Sequence, residues 1–166
     1  MSPRRPSIEL LEFVPGEGDD GIVAVMDELS DGSGWLTLDP SFDEDFPPPQ
    51  QTTLGRLVCG RGPAVPRANW VPAERDRRRP EPVSVGILHA TGAKSVERLA
   101  EKEIEVPDRW KVVADHSKRG LVLWVPIDIP HREVLAWTCA ATRALTRVPL
   151  TDQWRVAIHR RTGKSQ

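Results

Sequence analysis

A regular succession of strand and helix patterns in the second half of the chain constrains the fold more than any other feature. Residues 93–104 and 131–148 place apolar side chains at the three- and four-residue spacing of amphipathic helices. Apolar or alternating runs predict strands in 82–90 and 152–161, and a two-stranded hairpin in 109–127. The predicted order is therefore strand, helix, strand, strand, helix, strand.

This order, which spans residues 83–161, resembles the split β-α-β arrangement of a ferredoxin-like domain. The resemblance is to a fold pattern and rests on no family motif. The sequence thus predicts an α+β fold with a ferredoxin-like βαββαβ C-terminal domain and a short tail at 162–166. Because that fold supports many unrelated functions, it indicates none by itself.

The first 82 residues are harder to assign, because they hold 12 of the 16 prolines. Residues 1–60 read as an acidic, proline-rich α/β segment. Within it, the spacing of apolar residues in 21–30 favours a helix, and a run of β-branched residues there leaves a strand as the alternative. Residues 61–82 contain five prolines and a charge run, which argue against a regular element and predict a linker or arm with Trp70 as its buried anchor.

The predicted ferredoxin-like sheet leaves one apolar face without helices. Val113, Val122 and Trp124 contribute to that face in the hairpin. Since a large apolar face rarely stays bare, we expect the N-terminal region to pack onto it, with a homodimer as the alternative to a monomer.

Charge is distributed unevenly along the chain although the net charge is only −1. Residues 1–55 carry 12 acidic and 2 basic residues, a net charge of −10, whereas residues 56–166 carry 12 acidic and 21 basic residues, a net charge of +9. This polarity indicates a basic surface for a polyanion, an acidic half that folds back on the basic half, or two separately solvated surfaces. The linker adds a basic cluster that could contact phosphates, formed by Arg75, Arg77, Arg78 and Arg79.

The stretch GILHATGAKS (86–95) has the general layout of a phosphate-binding loop. It is not a Walker A loop, because Gly86 and Gly92 are six residues apart and Ala93 separates Gly92 from Lys94. In the predicted topology, however, the loops 89–95, 115–120 and 146–152 lie at one end of the sheet. They would bring together six candidate anion-binding residues, which are His89, Lys94, His116, Lys118, Arg119 and Arg147.

Other site chemistries have little support in the sequence. The four histidines lack metal-ligand spacing, and no cofactor motif is found, so neither a metal nor a cofactor is predicted. Asp115, His116 and Ser117 are neighbours in a turn, where their side chains diverge and cannot form a hydrolase triad. Cys59 and Cys139 fit no ligand or redox motif and are interpreted as reduced thiols.

The chain lacks an apolar run long enough to cross a membrane, and Glu9 and Glu12 interrupt the core of any signal peptide. We therefore expect a cytoplasmic protein without a membrane partner. Three functions remain open. The first is a non-enzymatic binding module for a protein partner, and the second is a binder of nucleic acid or a phosphate ligand through loops 89–95 and 115–120. The third, and least favoured, is an enzyme acting on a phosphorylated small molecule with His89 or His116 as acid or base.

Overall fold

The computed structural model describes residues 7–45, 62–74 and 81–161. Within these ranges, one face of a seven-stranded antiparallel sheet is buried under three helices, so the fold is mainly β. The elements in chain order are β1 (Ser7–Phe13), α1 (Asp19–Leu29), β2 (Gly34–Phe42), β3 (Arg67–Val71), β4 (Val83–Leu88), α2 (Ser95–Ala100), β5 (Lys111–His116), β6 (Gly120–Val125), α3 (His131–Ala144) and β7 (Leu150–Arg160). The strand order across the sheet is β1-β7-β2-β3-β4-β6-β5.

The predicted ferredoxin-like fold is wrong, because the last strand has different neighbours. In that fold β7 would pair with β4, whereas here it lies between β1 and β2, and β2 and β3 separate it from β4. The alternation of Trp154, Val156 and Ile158 presents an apolar row that fits several neighbours equally well. In the structure that row aligns with Phe13 of β1 and with Leu36 of β2, among others.

The prediction that the N-terminal region packs onto the sheet face is also wrong. Its strands instead extend the same sheet sideways, with β1 and β2 on either side of β7 and β3 next to β4. Within the described ranges, the face that was expected to need a cover therefore remains free of helices. The N-terminal region also adds α1 to the helix layer, where it packs against α3.

Residues 61–82, which were expected to lack a regular element, contain β3. The prolines of this segment fall outside the strand, with Pro66 before it and Pro72 after it, so all five residues can pair with β4 and three of them also pair with β2. Trp70 on β3 is 1% exposed, which confirms its predicted role as a buried anchor. The basic cluster at 75–79 lies outside the described residues.

Helical periodicity predicted the two longer helices correctly. In α1, Ile22, Met26 and Leu29 are buried, so residues 21–29 are helical and not extended. In α3, Val134, Thr138 and Ala141 lie on the buried stripe that the sequence indicates. The predicted helix at 93–104 is shorter than expected, since α2 comprises six residues.

The core lies between the helices and one face of the sheet. It contains the inward residues of every strand from β1 to β7 except the edge strand β5, together with one buried stripe of each helix. Trp154 packs edge-on against Phe13 with ring centroids 6.4 Å apart, and Trp110 packs against Trp137 at 5.0 Å. Aromatic contacts of this kind add to the hydrophobic burial that holds the two layers together.

The opposite face of the sheet, here called the helix-free face, is formed by the outward residues of the strands. They are Ile8, Leu10 and Glu12 of β1, Arg155, Ala157 and His159 of β7, Trp35, Thr37 and Asp39 of β2, Arg67, Asn69 and Val71 of β3, Ser84, Gly86 and Leu88 of β4, and Val122 and Trp124 of β6. Trp35 stacks on His159 with ring centroids 4.8 Å apart, and Lys111 Nζ lies 5.2 Å from the ring centroid of Trp124. The face is thus mixed in character, not uniformly apolar.

Candidate anion-binding cleft

A buried hydrogen-bond network fastens the loop after β4 to the end of β5. The Ser95 hydroxyl donates to Asp115 Oδ1 at 2.8 Å and lies 2.9 Å from His89 Nε2. On the other side of the imidazole ring, the Thr91 hydroxyl lies 2.9 Å from His89 Nδ1. His89 is 1% exposed and Ser95 is fully buried, so these bonds are shielded from water. They hold the loop 89–95 in one position.

The partners of His89 determine its proton positions. Since the Ser95 proton is donated to a carboxylate, the Ser95 oxygen accepts from His89 Nε2–H, and Nδ1 accepts from the hydroxyl and the backbone N–H of Thr91. Burial lowers the pKa of His89, an effect that Asp115 opposes and Arg98 reinforces. His89 is therefore a neutral, structural residue and not the exposed anion ligand that the sequence indicated.

This network has the residue types of a hydrolase triad but not its arrangement. In a nucleophilic triad the imidazole lies between the serine and the carboxylate, and the serine faces the substrate. Here Ser95 lies between His89 and Asp115 and is inaccessible. Local sequence patterns do not reveal it, because Ser95 begins α2 and Asp115 lies 20 residues later in β5.

A cleft of about 370 Å³ lies beside this loop, between α2 and the end of α3. Its lining is mostly polar and includes three cationic side chains, two hydroxyls and one carboxylate. The lining residues are Thr91, Arg98, Glu101, Lys102, Ala144, Leu145, Thr146 and Arg147. Thr91 of the fixed loop, together with α2 and the turn after it, forms one wall, and the end of α3 with the α3–β7 connection forms the other.

The three cations of the cleft are held to different degrees. Lys102 Nζ donates to the backbone carbonyl of Ala144 at 2.6 Å, at the carboxyl end of α3 where cations are favoured. Arg98 Nε donates to the carbonyl of Ala93 at 3.4 Å, which leaves the terminal nitrogens of its guanidinium available. Arg147 is exposed and has no hydrogen bond or ion pair to any described residue.

Cations without a carboxylate partner concentrate at this end of the molecule. In the described ranges, seven of the fourteen lysine and arginine side chains form ion pairs. The other seven do not, and five of them lie on α2, in the turn that follows it, in the β5–β6 turn or in the α3–β7 connection. These five are Arg98, Lys102, Lys118, Arg119 and Arg147.

Elsewhere the acidic first half of the chain folds back on the basic second half, which was one of the three interpretations of the charge polarity. Five acidic residues before position 55 bond to basic side chains after it. The pairs are Glu9 and Glu28 with Arg160, Asp20 with Arg132, Asp27 with His131, and Asp39 with Arg67. These contacts pair Arg67, Arg132 and Arg160 with the acidic half, whereas the cations of the cleft have no such partner among the described residues.

Of the six predicted anion-binding residues, Arg147 lines the cleft and the other five do not. Lys94 precedes α2 with a positive φ of 67° and forms an ion pair with Glu97 at 3.4 Å. The loops 89–95 and 146–152 do meet, since Thr91 and Arg147 both line the cleft. The other two cations of the cleft, Arg98 and Lys102, lie on α2 and just after it. The four-residue spacing of Arg98 and Lys102 in the predicted helix was the signal that could have revealed them.

The remaining predicted residues lie at the β5–β6 turn. His116 ends β5, and its Nδ1 accepts a hydrogen bond from the backbone N–H of Lys118 at 3.1 Å. Lys118 and Arg119 are exposed in the turn, at the same end of the sheet as the cleft. The linker cluster cannot be placed, because Arg75, Arg77, Arg78 and Arg79 lie outside the described residues.

Neither the described residues nor the comparisons with known proteins point to another kind of site. The described ranges contain no group of three or more metal-ligating side chains and no helix that is long and apolar enough to cross a membrane. Burial raises the pKa of the Cys139 thiol to about 12, so this thiol stays protonated and unreactive. The chain matches no protein-family model, no curated protein and no solved structure.

Proposed function

We propose that this protein is a non-enzymatic binding module that holds a small phosphorylated ligand in the cleft between α2 and α3. The observation that carries the proposal is the concentration of unpaired cations at the cleft, whereas most other cations of the described residues are ion-paired. Unpaired cations that line a concave surface attract an anion and lose little existing bonding when they bind it.

Phosphate is the anion that best fits the donors of the cleft. The guanidinium groups of Arg98 and Arg147 can each donate two parallel hydrogen bonds to phosphate oxygens, and Lys102 adds a point charge. The hydroxyls of Thr91 and Thr146 bond to His89 and to a backbone carbonyl, so they position the walls more than they contact a ligand. Glu101 opposes anion binding and limits the affinity.

The size of the cleft favours a small molecule over a nucleic acid. A volume of about 370 Å³ falls in the range of small-molecule pockets. A polyanion needs a continuous basic track. Over the part of the chain that the structure describes, the acidic half interrupts such a track with ion pairs such as Asp39 to Arg67 and Asp20 to Arg132. Nucleic acid is therefore an alternative outcome of the test and not the proposed ligand.

The test is calorimetric titration of the full chain with inorganic pyrophosphate at low ionic strength. We expect saturable binding that Arg147→Gln and Arg98→Gln each weaken by about tenfold or more, because each removes charge-assisted hydrogen bonds. Arg155→Gln is the matched control, since Arg155 is also exposed and unpaired but lies on the helix-free face. Glu101→Gln should tighten binding, because it removes the carboxylate of the lining.

Two outcomes would overturn the proposal. One is saturable binding that Arg155→Gln weakens as much as Arg147→Gln does, which would indicate general attraction to a charged surface. The other is the absence of pyrophosphate binding. Tight, salt-dependent binding of a labelled single-stranded oligonucleotide, insensitive to Arg147→Gln, would instead favour the nucleic-acid alternative.

A further inference from the structure

The strand β1 is an edge of the described sheet and has the features of an unfilled pairing site. It pairs with β7 on one side through seven consecutive residues, without a bulge. Leu10 and Ile8 are 60% and 58% exposed, the two highest values among the exposed large hydrophobic residues of the described ranges. The outer N–H and C=O groups of such a strand are a template for another strand.

The opposite edge of the sheet lacks these features. The register of β5 shifts between Val112 and Ala114, and the strand begins with Lys111. A bulge and an edge lysine are devices by which natural proteins prevent unwanted strand pairing. By contrast β1 contains no lysine, proline, glycine or bulge, so one edge is protected and the other is open.

We propose that β1 pairs with the β1 strand of a second copy of this chain, antiparallel and centred on Leu10. In this register all seven residues of the strand overlap. On the helix-free face, Leu10 lies opposite the partner's Leu10 and Ile8 opposite the partner's Glu12. The helices of both copies then lie on the same side of one continuous sheet.

Two registers overlap all seven residues of both strands, the antiparallel one centred on Leu10 and the parallel in-register one, and charge favours the first. The strand carries Glu9 and Glu12 and no basic residue, and like charges directly opposite each other destabilise a strand pair. Parallel in-register pairing would place Glu9 opposite the partner's Glu9, whereas the register centred on Leu10 places each glutamate opposite an aliphatic residue. Glu9 also has a cation in its own subunit, since Arg160 lies 3.8 Å away.

The interface is small, which sets the expected strength of association. A strand of seven residues is about 23 Å long, so pairing at this edge buries less area than a standard protein interface. We therefore expect a dissociation constant in the micromolar range.

The first test is sedimentation velocity of the full chain from low micromolar to several hundred micromolar concentrations. We expect a monomer–dimer equilibrium that Leu10→Lys and Ile8→Lys each weaken by about tenfold or more, because a charge at the edge opposes pairing. Ile127→Lys is the matched control, since Ile127 is 56% exposed but lies outside the sheet. It should leave the dissociation constant unchanged.

The second test reports the register. Leu10→Cys and Ile127→Cys are made separately in a Cys59→Ser background, where the remaining thiol of Cys139 is buried. Under mild oxidation, Leu10→Cys should form a disulfide-linked dimer at least about tenfold faster than Ile127→Cys, because the two Leu10 residues face each other at the spacing that a disulfide spans. Equal rates for the two variants, or a monomer at every concentration, would overturn the proposal.

Discussion

Asp115 on β5 accepts two hydrogen bonds from Ser95, one from its backbone N–H at 3.0 Å and one from its hydroxyl at 2.8 Å. It accepts a third from the backbone N–H of Val96 at 3.2 Å. The residue that precedes α2, Lys94, supplies no side-chain cap. A carboxylate 20 residues away in sequence therefore satisfies the first donors of this helix, and it fixes the loop that contributes Thr91 to the cleft.

Replacing this carboxylate should destabilise the protein. We expect Asp115→Ala to lower the free energy of unfolding by about 1–3 kcal/mol, because it leaves the buried Ser95 hydroxyl and two helix N–H groups without their acceptor. Urea unfolding measures the change. Asp128→Ala is the control, since Asp128 forms an exposed ion pair with Arg109 and should change stability little. Equal effects of the two substitutions would contradict the structural role of Asp115.

The buried imidazole makes stability depend on pH in a defined direction. Burial holds the pKa of His89 below its unfolded value of about 6.5, so the unfolded chain takes up a proton that the folded chain excludes. This contribution is complete above about pH 6.5 and is lost progressively as the pH falls below it. We expect the urea midpoint to fall between about pH 7 and about pH 5, and His89→Gln to flatten that fall. An unchanged slope in His89→Gln would assign the dependence to other groups.

Asp115 adds a second, more acidic transition. Burial raises its pKa, but the hydrogen bonds from Ser95 and Val96 together outweigh burial, and the net result is a lowered pKa. Because the carboxyl pKa is lower in the folded chain, ionisation of Asp115 stabilises the fold at pH values above its unfolded pKa of about 3.9. This stabilisation is lost as the pH falls through the pKa of the folded chain. In Asp115→Asn, the loss of stability at the most acidic pH values should therefore shift. The loss between about pH 7 and about pH 5, which His89 causes, should still be present.

Two glycines of the central strands should respond differently to alanine. Gly120 begins β6 with a φ of 74°, and a side chain there would overlap the backbone carbonyl of Ile87. We expect Gly120→Ala to cost at least about 2 kcal/mol, because both the positive φ and the backbone contact oppose it. A side chain at Gly86 would meet the side chain of Asn69 instead.

Because the Asn69 side chain is exposed and can rotate away, Gly86→Ala should cost about 1 kcal/mol or less, and Asn69→Ala should relieve that cost. Thermal unfolding of the three single variants and of the Gly86→Ala/Asn69→Ala double variant measures both effects. A larger loss for Gly86→Ala than for Gly120→Ala would contradict the packing described.

The sequence predicted most elements but not their arrangement. The buried stripes of α1 and α3 and the alternation in β7 are local patterns, and each appears in the structure as an element of the expected type. Strand neighbours are decided by long-range contacts. The apolar row of β7 that includes Val156 fits beside β4 as well as beside β1 and β2, and nothing local to 150–160 distinguishes these choices.

The candidate site was predictable to the same limited extent. Arg147 was found because the end of α3 and the loop after β4 lie at one end of the sheet in the predicted and the observed topology alike. His89 was predicted to bind an anion because its loop lies at that end of the sheet, whereas its buried position depends on hydrogen bonds with Ser95 and Thr91, which local patterns do not reveal. Which cations remain unpaired depends on contacts between the two halves of the chain, and no segment shows this alone.

The sheet topology also predicts that the second half of the chain does not fold alone. A fragment of residues 81–166 keeps β4 to β7 and the helices α2 and α3 but loses β1, β2 and β3. It therefore loses both neighbours of β7, which are β1 and β2, and one neighbour of β4, which is β3. Its Trp154, Val156 and Ile158 would lose their cross-strand partners and become exposed. We expect the fragment to unfold without a cooperative transition and to show a poorly dispersed amide spectrum, whereas the full chain unfolds cooperatively. A fragment that unfolds cooperatively, with β7 paired to β4, would mean that the ferredoxin-like arrangement is accessible to these residues and that β1–β3 displace it in the full chain.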